Sequence, residues 1–365
     1  MRFISVAPLA AAAFATIGAS SGAAFADTST RISGPLVHEN LAVYFIHGAS
    51  AAGPVPLTLQ EALAKGSVQV VETGRVNELM IENTGGERVF IQAGDIVKGG
   101  KQDRVLTVSF LLPPQSGRLP IASFCVEQGR WAPRGKEDQA RFSSAREAMP
   151  SVSALLAMAA PPPAAAPPSR DNPAARPGVV LGTQGSGQSD DVARKQRKVW
   201  DSVTATQDKL ARGLNAPVTA AQSASSLQLS LENEGLKAAR TGFVKALQPA
   251  GERDADVIGY VVAINGKMSA ANIYPSNGLF RKMWEKQLAA MVTEAIGEKA
   301  GAKPTTAPPP APAVKEFLAQ AEKGKPYERV IAAGMRQETR DADKALYNEA
   351  RGADGKWIHR NYLAK

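Results

Sequence analysis

Residues 256–274 read Asp-Val-Ile-Gly-Tyr-Val-Val-Ala-Ile-Asn-Gly-Lys-Met-Ser-Ala-Ala-Asn-Ile-Tyr. A nearly continuous apolar run from Asp256 to Ile264 leads into Asn265-Gly266, two residues that accept the positive φ a two-residue hairpin turn requires. Lys267–Tyr274 is then the return strand, so the core of the fold is expected to contain an antiparallel pair. Ser276 is placed to cap a helix reaching about Ile296. Its Leu279, Met283, Gln287-Leu288, Met291 and Val292 make one core-facing stripe, and Gly297 is the expected stop. Upstream, two further helices are expected over about 191–211 and 229–248. Leu236, Ala239, Phe243 and Leu247 share a face of the second, and Pro249 is expected to end it.

Working further outward, the first half of the chain reads mainly as strand: Leu41–Ile46, Val68–Glu72, Val76–Glu82, Arg88–Gln92, Arg104–Leu112 and Leu119–Val126. Turn signals at Gly74, Thr84-Gly85-Gly86, Gly94 and Gly99-Gly100 separate them as antiparallel hairpins require. Thr58–Lys65 is a short helix, with Thr58 and Glu61 as a capping box and Gly66 as its stop. The tail holds a short helix near 314–323 and strand-like runs over Glu328–Met335, Lys344–Ala350 and Lys356–Leu363, the last two joined by Asp354-Gly355. Three strands with no covering helix are marginal alone, so they are expected to dock on the main sheet.

The fold class is therefore α+β: a single domain with a largely antiparallel β-sheet core, packed helices and a long Pro/Ala/Gly-rich insertion. Residues 27–150 and 190–300 form that domain, and a disordered Pro-rich insertion over 150–190 interrupts it. Residues 303–314 are a Pro-rich linker and 315–365 the docked C-terminal strands. Proline fixes φ and removes a backbone donor, which keeps such tracts out of packed ladders.

At the amino terminus Arg2 precedes a nearly unbroken apolar run over Phe3–Ala15, and Ala24-Phe25-Ala26 stands before Asp27. This is the layout of a secretory signal cleaved after Ala26. Thr16, Gly18 and Ser20-Ser21-Gly22 leave the run short of the roughly 20 residues a bilayer span needs. No later stretch approaches that length, so no transmembrane segment is expected after cleavage. The expected localisation is periplasmic or secreted.

The formal net charge is +9. Export makes nucleic acid an unsuitable partner and favours an anionic small molecule or envelope component. Arg194-Lys195-Gln196-Arg197-Lys198, the densest basic run, reads as a solvated helix face. Cys125 is the sole cysteine, which excludes an intramolecular disulfide. With Phe124 and Val126 beside it, Cys125 reads as a buried apolar residue.

Several chemistries lack their residues. His38, His47 and His359 are the only histidines; they lie far apart with no His-Glu-x-x-His segment, so no metal site is expected. Beyond residues 1–26 there is no Gly-x-Ser-x-Gly elbow, and Ser123 has no histidine partner near in sequence. Gly182–Gly187 holds glycines without the lysine of a phosphate loop. Phe280 and Trp284, four apart on a helix, read as core. Trp357, His359 and Asn361 alternate on one strand face, as a groove wall or a half-buried strand would.

Two clusters remain: Gly94-Asp95-Ile96-Val97-Lys98-Gly99-Gly100-Lys101-Gln102-Asp103-Arg104, and Pro120-Ile121-Ala122-Ser123-Phe124-Cys125-Val126-Glu127-Gln128-Gly129-Arg130-Trp131. With Gly259–Gly266 and Leu279–Trp284, they resemble the domain family named for its association with ADP-ribosylglycohydrolase and rhodanese-phosphatase proteins. The resemblance covers about 40–132 and 190–297. It implies one domain around the insertion and supplies no catalytic residue or cofactor. It makes an ADP-ribose-like compound one guess at a ligand.

Read physically, Arg104 and Arg130 offer planar forks for an anion and Trp131 a stacking face, with Gln102, Lys98 and Lys101 lining the same place. The alternative is internal pairing of Asp103 with Arg130, or of Glu127 with Arg104, to secure the sheet. The functional expectation is an exported, non-enzymatic binding or accessory module for an anionic ligand or envelope partner. The rival is a hydrolase of a phosphorylated or ADP-ribosylated substrate, with Glu127 or Asp103 as general base.

Overall fold

The computed structural model describes residues 30–132, 142–145, 149–161, 186–301, 307–332 and 334–365. Residues 1–26, read above as a secretory signal, the Gly182–Gly185 part of the glycine tract and residues 303–306 lie outside them, as does most of the Pro-rich insertion.

The protein is α+β, and its organising element is an eight-stranded antiparallel sheet. Strand order is Arg31–His38, Leu41–His47, Val257–Ile264, Lys267–Ile273, Trp357–Ala364, Ala345–Arg351, Arg336–Asp341 and Lys325–Val330. The hairpin at its centre turns on Asn265 (φ 51°) and Gly266 (φ 73°). Every residue of Val257–Ile264 is buried, because both faces of the sheet are covered. On one face Leu41, Val43, Phe45, Tyr260 and Val262 pack against helices Ser186–Leu214, Glu234–Arg253 and Asn277–Gly297. On the other, Tyr44, Ile46, Val261, Ala271 and Tyr362 meet Val314, Leu318 and Ala321 of helix Ala311–Ala321. A strand enclosed this way reads as a continuous apolar run instead of alternating.

A six-stranded sheet runs Phe142–Ser144, Ile96–Gly99, Arg104–Leu106, Gly117–Cys125, Glu78–Asn83 and Val68–Glu72. A three-stranded sheet runs Leu57–Thr58, Val89–Ile91 and Phe110–Leu112, its first pair parallel. The two share a core with Leu59 and Ala62 of helix Leu59–Ala64. That helix has the expected capping box: Thr58 Oγ1 accepts from Glu61 N–H at 3.1 Å, and Glu61 Oε2 accepts from Thr58 N–H at 2.7 Å.

Several elements differ from the sequence reading. Arg104–Leu112 is two strands in two sheets. The chain changes sheet at Thr107–Ser109, where Thr107 donates to Ala122 O and Ser109 Oγ lies 3.0 Å from His359 Nδ1. Glu328–Met335 folds back on itself through Gly334 (φ 78°) into the hairpin of Lys325–Val330 with Arg336–Asp341.

The helix expected over 229–248 is broken. Leu227–Leu231 ends, Asn233 caps a new start, and Glu234–Arg253 runs through Pro249. The proline removes the donor to Lys245 O, and the helix continues tied to its neighbour by Trp284 Nε1 donating to Gln248 O at 3.0 Å and Arg281 to Glu252 O at 2.5 Å.

The expected insertion over 150–190 is shorter at both ends. Val152–Ala159 is a helix capped by Ser151, and another helix begins at Ser186. Helix Ala311–Ala321 likewise starts inside the expected linker, with Pro at its first turn, where a missing N–H costs nothing.

Candidate functional site

The two clusters singled out in the sequence are joined by strand pairing. Arg104 lies opposite Cys125 on one side and Val97 on the other. Gly99 (φ 119°) and Gly100 (φ 57°) reverse the chain. Gly100 must lack a Cβ, which would stand 2.4 Å from the Phe142 ring. The reversal brings Asp103 back so that its Oδ1 accepts from Gly99 N–H at 3.0 Å, and Val126 N–H donates to Asp103 O at 3.2 Å. Glu127 therefore emerges beside Asp103.

Arg130 closes the group from above. Its Nε donates to Glu127 Oε2 at 2.5 Å, its second amino group reaches Asp103 Oδ1 at 3.4 Å, and the third nitrogen donates to Ala132 O at 2.5 Å. Of the two internal pairings considered, Asp103 with Arg130 forms. Glu127 also takes Arg130, because the Arg104 guanidinium turns the other way. Arg104 donates to Gln102 O at 3.2 Å, to Gln102 Oε1 at 3.3 Å and to Glu72 Oε1 at 3.5 Å. Glu72 Oε1 also accepts Lys101 N–H at 3.1 Å. Arg104 Nε and Glu72 Oε2 are buried with no hydrogen-bond partner among the described residues.

Asp103, Arg104 and Glu127 are each 0% exposed and Gln102 is 5% exposed. A general base must reach a substrate proton directly or through one water. Neither carboxylate has a solvent-facing surface from which to do so.

Trp131 is different: 45% of it is exposed. Its ring carries the Lys101 ammonium 5.2 Å from the centroid and the Arg104 guanidinium at 5.6 Å. Contacts of this kind contribute about 0.5–1 kcal/mol at exposed sites and more where the cation is desolvated. Lys98 is drawn elsewhere, to both carboxylate oxygens of Glu232 at 2.9 Å. Burial opposes ionisation of Glu232, but the bonds from Lys98 and Gln228 prevail and hold its carboxyl below the usual range. Lys98 is thus a clamp between the hairpin and the Leu227–Leu231 helix.

The sequence reading missed the residues that complete the cluster. Glu72 ends a distant strand. Ser226 donates to Asp103 Oδ2 at 3.4 Å while capping its own helix. Gln196 holds Cys125 N–H and Cys125 O at 2.9 Å each. Gln196 sits inside the basic run read as a solvated face, and it is the buried member of that run. A polar uncharged residue among four cations was the available signal. Cys125 is fully buried, and burial, opposed by Arg104, pushes its thiol up to about 11. A thiol in that range stays protonated at neutral pH and is a poor nucleophile.

The alternating tail residues separate. His359 and Asn361, with Thr107, Ser109, Gln337 and Asn348, line a cavity of about 20 Å³, room for a single water. His359 contacts Ser109 and Asn272, each at 3.0 Å, and burial pushes its imidazole down to about 3, so it stays neutral. Trp357 instead takes the Arg360 guanidinium at 4.4 Å. Among the described residues no group of three or more His, Cys, Asp or Glu side chains is placed to hold a metal ion. No described helix is long and apolar enough to cross a membrane.

The joined clusters, the Gly259–Gly266 hairpin and the Leu279–Trp284 helix segment are the residues that carry the resemblance in the sequence. The model of the ARG and Rhodanese-Phosphatase-superfamily-associated Protein domain matches residues 29–363. The chain belongs to this family. No curated protein and no solved structure matches it. The matched span of the ARG and Rhodanese-Phosphatase-superfamily-associated domain takes in both halves of the charged cluster and the C-terminal strands as well. Its description names companions and no reaction.

Proposed function

We propose that the protein is an exported envelope protein serving as a binding or accessory module. Its ligand is anionic and carries a stacking ring, and an ADP-ribose-like compound has both features. The observation that carries this reading is the contrast at Trp131. The indole is half exposed with cations against its ring, while the carboxylates behind it are sealed. A base stacks on the indole, Lys101 meets phosphate, and the buried ion pairs keep the platform rigid. No chemistry at Glu127 or Asp103 is required.

Calorimetric titration of ADP-ribose into the purified chain, with inorganic phosphate in parallel, tests it. Saturable binding of ADP-ribose is expected, weakened about tenfold in Trp131→Ala, since aromatic stacking on a base contributes about 1–3 kcal/mol. Binding that is absent, or unaltered in the variant, would remove the proposal.

Export rests on the signal-like pattern of residues 1–26. Amino-terminal sequencing of protein recovered from a cell envelope fraction is expected to begin at Asp27; a chain starting at Met1 would contradict it.

A further inference from the structure

The eight-stranded sheet brings together three polar side chains from separate parts of the sequence. His47 ends the strand Leu41–His47, opposite Arg31 of the edge strand, with Ser33 two residues further along. On its other side His47 is paired with Val257, directly after Asp256. Ser33 Oγ lies 2.7 Å from His47 Nε2, and His47 Nδ1 lies 2.8 Å from Asp256 Oδ1. The Arg31 guanidinium stands 2.8 Å from Nδ1 and 3.2 Å from Asp256 Oδ2.

The Asp256 carboxylate and the Arg31 guanidinium compete for Nδ1, the first needing a hydrogen on it and the second its lone pair. The tautomer the site requires is the one with the hydrogen on Nδ1, donated to Asp256 Oδ1, and Arg31 then donates to Oδ2. The Nε2 lone pair is then left for the Ser33 hydroxyl, which donates to it. The His47 bond, opposed by desolvation and helped by Arg31, holds the Asp256 carboxyl below its usual range.

The backbone supports a role for Ser33 beyond strand pairing. The register with Leu41–His47 slips between Ser33 and Leu36, so Gly34 and Pro35 stand outside the paired ladder. Gly34 takes φ +103°, and a Cβ there would lie 2.8 Å from Val43 O. Bulges of this kind re-aim side chains and are common beside active sites. The imidazole is 2% exposed and Ser33 partly exposed. A base shielded from solvent thus stands next to a hydroxyl that solvent can reach.

We propose that Ser33, His47 and Asp256 form an acyl-transfer site that hydrolyses carboxylic esters. Ser33 is the nucleophile, His47 the general base and Asp256 the positioning residue. The order hydroxyl, Nε2, Nδ1, carboxylate is the one that recurs on unrelated hydrolase folds. Ser33 Oγ bonds to the acyl carbon as its proton passes to Nε2, and the Gly34 N–H, outside the ladder, is the donor nearest in sequence for the oxyanion. The carbon–oxygen bond to the alcohol breaks, and the alcohol leaves with the Nε2 proton. Water, giving a proton to Nε2, attacks the acyl-serine. Release of the acid and return of that proton to Oγ restore the site, so ester and water become acid and alcohol. The proposal rests on none of the residues invoked for ligand binding at Trp131.

The test uses the full chain, 4-nitrophenyl acetate as substrate and an alkyl fluorophosphonate as label, with the adduct located by peptide mass spectrometry. The expected results are an adduct on Ser33 and a loss of turnover of about 10²-fold or more in Ser33→Ala and in His47→Gln. Ser33→Ala removes only a partly exposed hydroxyl and should keep the native melting midpoint, so its loss of turnover reports chemistry. Two results would overturn the proposal. One is a folded native chain with Ser33 unlabelled. The other is nitrophenolate release equal in native and Ser33→Ala protein while His47→Gln lowers only the melting midpoint.

Discussion

Replacing Lys286 with methionine is expected to destabilise the protein by about 3–5 kcal/mol, the range found when one member of a buried ion pair is removed. Lys286 Nζ donates to Asp95 Oδ1 at 2.6 Å, and the two side chains are 7% and 4% exposed. Asp95 Oδ2 is already occupied by Gln92 N–H at 2.9 Å, and Asp95 O accepts from Leu106 N–H at 2.8 Å. Without the ammonium, a carboxylate is left in a site that offers only one neutral donor. The cost is the desolvation of that orphaned charge more than the strength of the lost contact. Adding Asp95→Asn to Lys286→Met should therefore recover most of the loss, since the amide oxygen can still accept from Gln92. Urea unfolding of the native, single and double variants measures it. A single variant within about 1 kcal/mol of native would sink the argument.

That pair also explains which parts of the fold were legible. Lys286 belongs to helix Asn277–Gly297, whose stripe, cap and stop could all be read locally. Asp95 belongs to the Gly94–Arg104 cluster, noticed for its glycines and charges. Their meeting across 191 residues of sequence had no local signal. The same holds for Glu72 with Arg104 and for Gln196 with Cys125. Segments whose structure is set by neighbours in sequence, such as Asn265-Gly266 and Thr58–Glu61, were read correctly. Segments whose structure is set by distant partners were misread. Thr107–Ser109 looks like the middle of a β-branched strand because nothing local says that Ser109 will meet His359. Pro249 looks like a helix end because nothing local says that Trp284 and Arg281 of a distant helix will tie down the turn around it. Val152–Ala159 was hidden by an alanine- and proline-rich composition that resembles a linker.

The charged cluster follows the same division. Its residues were legible as a group because glycines and charges at strand ends are local features. Its closure was not. Whether Glu127 faces solvent depends on Arg130 folding back over it, and whether Arg104 is available depends on Glu72. The Ser33–His47–Asp256 arrangement escaped notice for a related reason. The histidine and the serine are 14 residues apart, and the carboxylate lies 209 residues from the histidine. Only the order of strands in the sheet makes them neighbours.

Stability should fall as pH rises from about 4.5 to 7, and Glu294→Gln should abolish that part of the fall. Glu294 projects from helix Asn277–Gly297 toward the start of helix Val152–Ala159, where both its oxygens lie 3.3 Å from Val152 N–H. Burial raises its carboxyl from 4.5 to about 7, and the Val152 bond and Lys209 only partly offset this against the like charge of Glu298. The folded state therefore binds the proton more tightly than the unfolded chain does. The associated stability is present in full below 4.5 and is lost as pH rises through 7. One pKa unit corresponds to about 1.4 kcal/mol, so the full effect is on the order of 3 kcal/mol. Glu294 retains partial solvent contact, which brings the expected value nearer to 1–2 kcal/mol, or about 2–6 °C in melting midpoint. Glutamine keeps an oxygen for Val152 N–H and carries no charge, so the variant should match native at pH 4.5 and exceed it at pH 8. Melting curves at the two pH values decide the matter, and a variant less stable than native at pH 8 would mean that the ionised carboxylate is a favourable cap for the helix.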